Sequence, residues 1–153
     1  HNEVFRVDYT PAESTGSMFG GNSNWRGPIW MPMNFLLIDS LLKFQSYYGN
    51  EYEVEYPTNS GKMVSIKQAA LSLAERLIKI FRADENGRRP MYANYEKMQT
   101  DPHFKDLILF YEYFHGDDGK GLGAAHQTGW TGLVAELILM VNEANKVEIK
   151  EIL

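Results

Sequence analysis

The chain has no cysteine, which excludes disulfides and thiolate metal sites. The same absence fits a reducing compartment, and a cytoplasmic location is the expectation. No apolar run approaches the length of a membrane span, and the first residues have neither the basic region nor the apolar core of a secretory leader. Lys and Arg total 15 against 20 Asp and Glu and are dispersed. A net charge of −5 without a basic cluster argues against nucleic acid as a partner, since phosphate neutralisation needs grouped cations. The four histidines are scattered without metal-ligand spacing, so neither a metal nor another cofactor is expected. The chain opens on His1 rather than methionine, which suggests a piece of something longer.

At 153 residues the chain is one domain's worth, long enough to bury a core without staples. Aromatic residues make up 13% of it, more than a core of this size requires. The alternation Val4, Phe5, Val7, Tyr9 predicts a short strand closed by Pro11, followed by a polar loop to Asn24. Trp25-Arg-Gly-Pro-Ile-Trp-Met-Pro32 then sets two indoles, a guanidinium and two prolines close together. Such a segment suits a sugar-binding wall, rings on sugar C–H faces and fixed donors on hydroxyls, and equally suits a packed loop capping a core.

From Met33 to Tyr48 a helix is apolar on nearly every side, with Phe35, Leu36, Leu37, Ile38, Leu41, Leu42, Phe44, Tyr47 and Tyr48; such a helix is expected to be enclosed by others. Gly49 and Asn50 end it, and 51–62 reads as a connecting loop. Ser65 and Gln68 form a capping box opening an ordinary amphipathic helix, terminated by Asp84-Glu-Asn-Gly87. An enclosed helix followed by an amphipathic one is the pattern of inner and outer layers. Residues 88–100 read as an irregular connection, and Asp101-Pro102 as the cap of a short helical turn. Residues 107–114 read as extended, leading into a hairpin over 115–121. Gly129 to Asn145 is helical, with Trp130, Leu133, Val134, Leu137, Ile138 and Val141 on one stripe; the tail beyond it is a terminal strand or a frayed end.

Glu112 stands out because Phe110, Tyr111, Tyr113 and Phe114 surround it in sequence. Partial burial of a carboxylate disfavours its ionised form and makes it a candidate proton acceptor. The alternative is a glutamate on the wet face of a strand whose neighbours pack. Asn34, one turn into the long helix, either meets a sugar hydroxyl or ties down the loop above it. His115 and His126 lie in glycine-rich turns, where histidine is more often structural.

Two stretches, Gly20-Gly-Asn-Ser-Asn-Trp-Arg-Gly-Pro-Ile-Trp30 and Phe110-Tyr-Glu-Tyr-Phe-His-Gly-Asp-Asp-Gly-Lys-Gly-Leu-Gly-Ala-Ala-His-Gln-Thr-Gly-Trp130, together resemble glycoside hydrolase family 63. The resemblance implies an all-α fold, a partial (α/α)6 barrel with inner and outer helices and a short hairpin-like insertion. It makes 1–153 the C-terminal third or so of one catalytic domain: 1–32 a substrate-wall loop, 33–146 barrel helices and catalytic hairpin, 147–153 a tail.

It further implies inverting hydrolysis of an α-glycoside, with a glucoside first and a mannoside or sugar-glycerate next. Glu112 matches the family's general base. Trp25, Arg26 and Trp30 would form one wall of the terminal-sugar pocket, and Gln127 and Trp130 part of another with His126. The family's general acid, an upstream aspartate, has no counterpart here; Asp8, Asp39, Asp117 and Asp118 do not match its motif. The expected partners are a carbohydrate substrate, the N-terminal remainder of the enzyme and, for the isolated piece, further copies of itself. The competing reading is a non-catalytic carbohydrate-binding domain or a helical scaffold.

Overall fold

The computed structural model describes residues 8–16 and 25–152. Helix α1 spans Met31–Tyr48 and α2 spans Ile66–Lys79; they pack against each other, and α2 also packs on α5, Val134–Ile152. Two short helices, α3 at Glu96–Thr100 and α4 at Thr128–Thr131, lie between. Two antiparallel pairs complete the fold: β1 (Glu53–Glu55) with β2 (Met63–Ser65), and β3 (Tyr113–Phe114) with β4 (Gly121–Leu122).

Helix α1 begins two residues earlier than its apolar pattern suggests, because Pro32 suits a first turn that needs no N–H. It ends where Gly49 takes φ 76° and returns its N–H to the Gln45 carbonyl. The Ser65–Gln68 box is present in both directions at the start of α2. Ala70 and Ala74, both fully buried on α2, let neighbouring elements approach closely. Around them gather Met31 and Ile38 of α1, Leu77 and Ile78 of α2, Val134, Leu137 and Val141 of α5, and Phe114 of β3. Buried Gln45 ties the end of α1 to the start of α2: its amide donates to the Gly49 carbonyl at 2.6 Å and its carbonyl accepts from Lys67 N–H at 3.3 Å.

Several expectations need correction. The all-α reading gives way to a predominantly helical chain with two small sheets. Residues 51–62 are not a plain loop: Glu53–Glu55 form a strand that pairs with Met63–Ser65 across a turn at Pro57 to Ser60. Pro57 and Gly61 break the periodicity of the segment, but Pro57 opens the turn and Gly61 directly follows it, both between the paired strands.

Helix α1 is not enclosed. Leu37 is 60% exposed and Tyr47 83%, with Met33, Leu36, Phe44 and Tyr48 also open on the face that α2 does not cover. The helix after Gln127 is two pieces, interrupted at Gly132 and Leu133, and Ile138 lies outside the buried stripe. The tail is not a strand, since α5 runs on to Ile152. Helix α2 stops at Lys79, short of Phe81, and residues 84–88 form a separate turn in which the Asp84 carboxylate accepts from the Asn86 and Arg88 N–H groups. Asp101 caps a short helical turn, as expected: its carboxylate accepts from His103 N–H, and Lys105 N–H donates to its carbonyl at 2.9 Å. The extended 107–114 segment and its hairpin are as expected. The strand expected over 4–9 lies mostly outside the described residues, as does Gly20–Asn24; Asp8 and Tyr9 are irregular.

Candidate active site

Glu112 is carried by the residue before β3, and its backbone is held from one side by the chain that returns after β4. Phe110 N–H donates to the Ala125 carbonyl at 3.1 Å, Glu112 N–H to the Ala124 carbonyl at 2.8 Å, and Gln127 N–H to the Phe110 carbonyl at 2.7 Å. Thr131, fully buried, donates its hydroxyl to the Tyr111 carbonyl at 2.5 Å, which leaves no slack between this strand and α4. On the other side Ile29 exchanges both backbone hydrogen bonds with Phe114, at 2.7 and 3.0 Å. That pairing brings the Trp25–Trp30 segment against the hairpin. Long-range pairing of this kind leaves no periodic signal in sequence.

The rings then form one assembly. Trp30 is buried between Trp25, stacked at 4.1 Å, and Tyr113, stacked at 4.5 Å. Trp130 meets Trp30 edge-on at 6.0 Å and lies 6.2 Å from Trp25. Only Trp25 of the sandwich presents a largely open face, at 60% exposed. The Trp130 indole N–H is enclosed and has no acceptor among the described residues. Arg26 is half-buried and its carbonyl accepts from Thr10 N–H at 3.2 Å. Gln127 and His126 are exposed on the loop that leads into α4. Asn34 donates its amide to the Trp30 carbonyl at 2.8 Å, so it ties down the loop above it.

Glu112 is half-buried. Its Oε2 accepts a long hydrogen bond from Ala124 N–H at 3.3 Å, while Oε1 takes none from the described residues. A carboxylate with one oxygen held by backbone and the other available is oriented without being spent. Next to it, burial pushes the Tyr113 phenol above its ordinary range, and the Glu13 and Glu112 carboxylates add to the effect by disfavouring a third negative charge. Glu13, in a Thr-Pro-Ala-Glu-Ser loop, gave no signal in sequence; only the return of residues 9–11 over the hairpin brings it here. That return is fixed by Gly116 N–H donating to the Pro11 carbonyl at 2.8 Å and by Tyr9 donating to Asp117 at 2.8 Å.

The other acidic residues have local duties. Asp117 and Asp118 shape the hairpin tip, where Asp118 accepts from Lys120 N–H and lies 3.3 Å from His115 Nδ1. Asp39 pairs with Lys43 on α1. Among the described residues no three His, Asp or Glu side chains group to hold an ion. A cavity of about 330 Å³ between α2 and the hairpin tip is lined by Ile29, Asn34, Arg76, Lys79 and Asp117, and does not include Glu112.

Glu112 thus adjoins the aromatic assembly through Tyr113. Residues 15–142 match the description "Glycosyl hydrolase family 63 C-terminal domain", and the chain belongs to that family. It is 49% identical over 136 residues, 88% of its length, to an uncharacterised protein of Saccharomyces cerevisiae. It is 30% identical over 122 residues, 78% of its length, to the mannosyl-oligosaccharide glucosidase of the same yeast. The matches cover only 12% and 11% of those two relatives.

Proposed function

We propose that the chain is the base-bearing part of an inverting α-glycosidase whose substrate is a terminal α-glucoside. Glu112 Oε1 removes a proton from a water molecule as that water attacks the anomeric carbon. A carboxylic acid from a part of the catalytic domain outside this chain protonates the departing oxygen on the opposite face, so the bond to the aglycone breaks as the bond to water forms. The two carboxyl groups of such a pair stand roughly 6.5–9.5 Å apart to admit the water. Trp25 and Trp130, with Arg26, Gln127 and His126, wall the terminal sugar, and Trp30 backs that wall.

The observation that carries this reading is Glu112 itself, oriented through Oε2 with Oε1 available, in a chain of a glycosidase family with a glucosidase among its relatives. The uncovered α1 face is where other helices of an (α/α)6 barrel would pack, and Leu36, Leu37 and Phe44 are the residues they would cover. An isolated chain with that face open self-associates, which light scattering against concentration would register. The test of function is hydrolysis of aryl and disaccharide α-glucosides by the full-length protein and by Glu112→Gln. Loss of turnover with an inverted product in the parent supports the reading. Unchanged turnover removes it and leaves a carbohydrate-binding or scaffold role.

A further inference from the structure

We propose that Gly123 is the positioning residue for Glu112: its bare Cα is the seat against which the carboxylate lies, aligned with the Ala124 N–H that holds Oε2. The inference rests on the reading of Glu112 as the base. A Cβ at position 123 would fall 2.6 Å from Glu112 Oε2, 2.9 Å from Glu112 Cβ and 2.8 Å from the Tyr113 ring. The Oε2 contact is relieved only by rotating the Glu112 carboxylate away, and the contact on Glu112 Cβ, which no side-chain rotation moves, only by shifting the 123–124 backbone. Either movement breaks the 3.3 Å bond from Ala124 N–H and frees the carboxylate to rotate. Tyr113 cannot yield instead, because it is 1% exposed and clamped by stacking on Trp30.

Two positions earlier Gly121 plays the matching part for Tyr111, whose ring occupies the space a Cβ would need. The Gly-Leu-Gly sequence thus receives, through its missing side chains, the two residues before β3. Only the second reception touches the proposed reacting group.

Gly123 also has φ +69°, so any side chain there is strained in the backbone as well as crowded. Gly61 separates the two effects. Its φ is +70° and nothing lies within 4 Å of its would-be Cβ, so Gly61→Ala carries the same backbone strain without the contact.

In the full-length protein assayed on an aryl α-glucoside, Gly123→Ala should lower kcat by about ten- to a hundredfold with KM within about twofold, the size expected when a reacting group is misplaced by an ångström or so. Gly61→Ala should leave both constants unchanged. In a Glu112→Gln background, adding Gly123→Ala should lower the residual rate no further, because the group it acts through is already disabled. A Gly123→Ala enzyme with wild-type kcat, or one whose loss is as large in the Glu112→Gln background, overturns the proposal. If Gly123→Ala does not accumulate as folded protein, Ala124→Pro removes the N–H directly, and the same kcat-selective loss is expected; unchanged kcat there overturns it equally. Failure of the base assignment is recognised separately, by a Glu112→Gln enzyme that still turns over.

Discussion

Two regions of this molecule are built to opposite standards. Along 110–114 the backbone is held from both sides, by Ala124, Ala125 and Gln127 on one and by Ile29 on the other, and Tyr113 and Phe114 are essentially inaccessible. Along α1 one face is equally well packed, through Met31 and Ile38, while the other presents Leu36, Leu37, Phe44 and Tyr47 to solvent. Both segments are mainly apolar. What differs is tolerance: the role proposed for Glu112 requires its carboxylate to be placed within fractions of an ångström and so a backbone held on both sides, whereas a helix face needs only a complementary surface to cover it.

The largest effect that would sharpen this contrast is at Glu112. Glu112→Gln should reduce kcat of the full-length enzyme by about 10²–10⁴-fold with its melting temperature little changed, as expected for loss of a general base. Phe114→Ala, at the centre of three pieces of chain, should cost about 3–5 kcal/mol in a urea melt. Leu37→Ala on the open face of α1, in the isolated chain, should stay within about 0.5 kcal/mol. If the two cost the same, the contrast is false.

A third change tests whether the tight standard extends below the hairpin. Buried Gln99 accepts from Arg89 N–H at 2.9 Å and donates to the carbonyls of Arg89 and Ala93 at 2.9 and 3.0 Å. Gln99→Leu should therefore cost about 1–3 kcal/mol for each group it strands, and a chemical melt would read the sum.

The smallest effect belongs to the surface. Hydrogen bonding by Arg88, at 2.6 Å, holds the Glu96 carboxyl below its ordinary value, so this pair adds stability above the unfolded-state value and loses it as pH falls through the folded one. Both side chains are solvent-accessible, so Glu96→Gln should remove only a slight acid-side dependence of the melting temperature, and salt should erase it.

Local signals were read correctly where the physics is local. The Ser65–Gln68 box, the Gly49 stop, the amphipathic face of α2 and the hairpin over 115–121 each depend on residues within a few positions of one another. The same limit explains the errors. Pro57 and Gly61 have the composition of a loop, yet they sit in the connection of a hairpin. The apolar girth of α1 was taken for burial, although composition says only that a surface wants covering. Nothing in the sequence announced Glu13, which reaches Tyr113 only because residues 9–11 fold back over Gly116, nor Thr131, whose hydroxyl fastens Tyr111 from another element.

By itself, then, the sequence determined the family, helices α1 and α2, their capped starts and stops, and the one carboxylate set among aromatic rings. Each of these is written in residue type and short-range spacing. Tertiary structure alone decided that Trp30 is sandwiched while Trp25 faces outward, that Ile29 pairs with Phe114, and that the Glu112 carboxylate rests on Gly123 with one oxygen held and one available. The first two depend on segments more than eighty positions apart sharing a few ångströms of space, the third on how the hairpin closes on itself, and proximity of either kind has no period for a sequence to display.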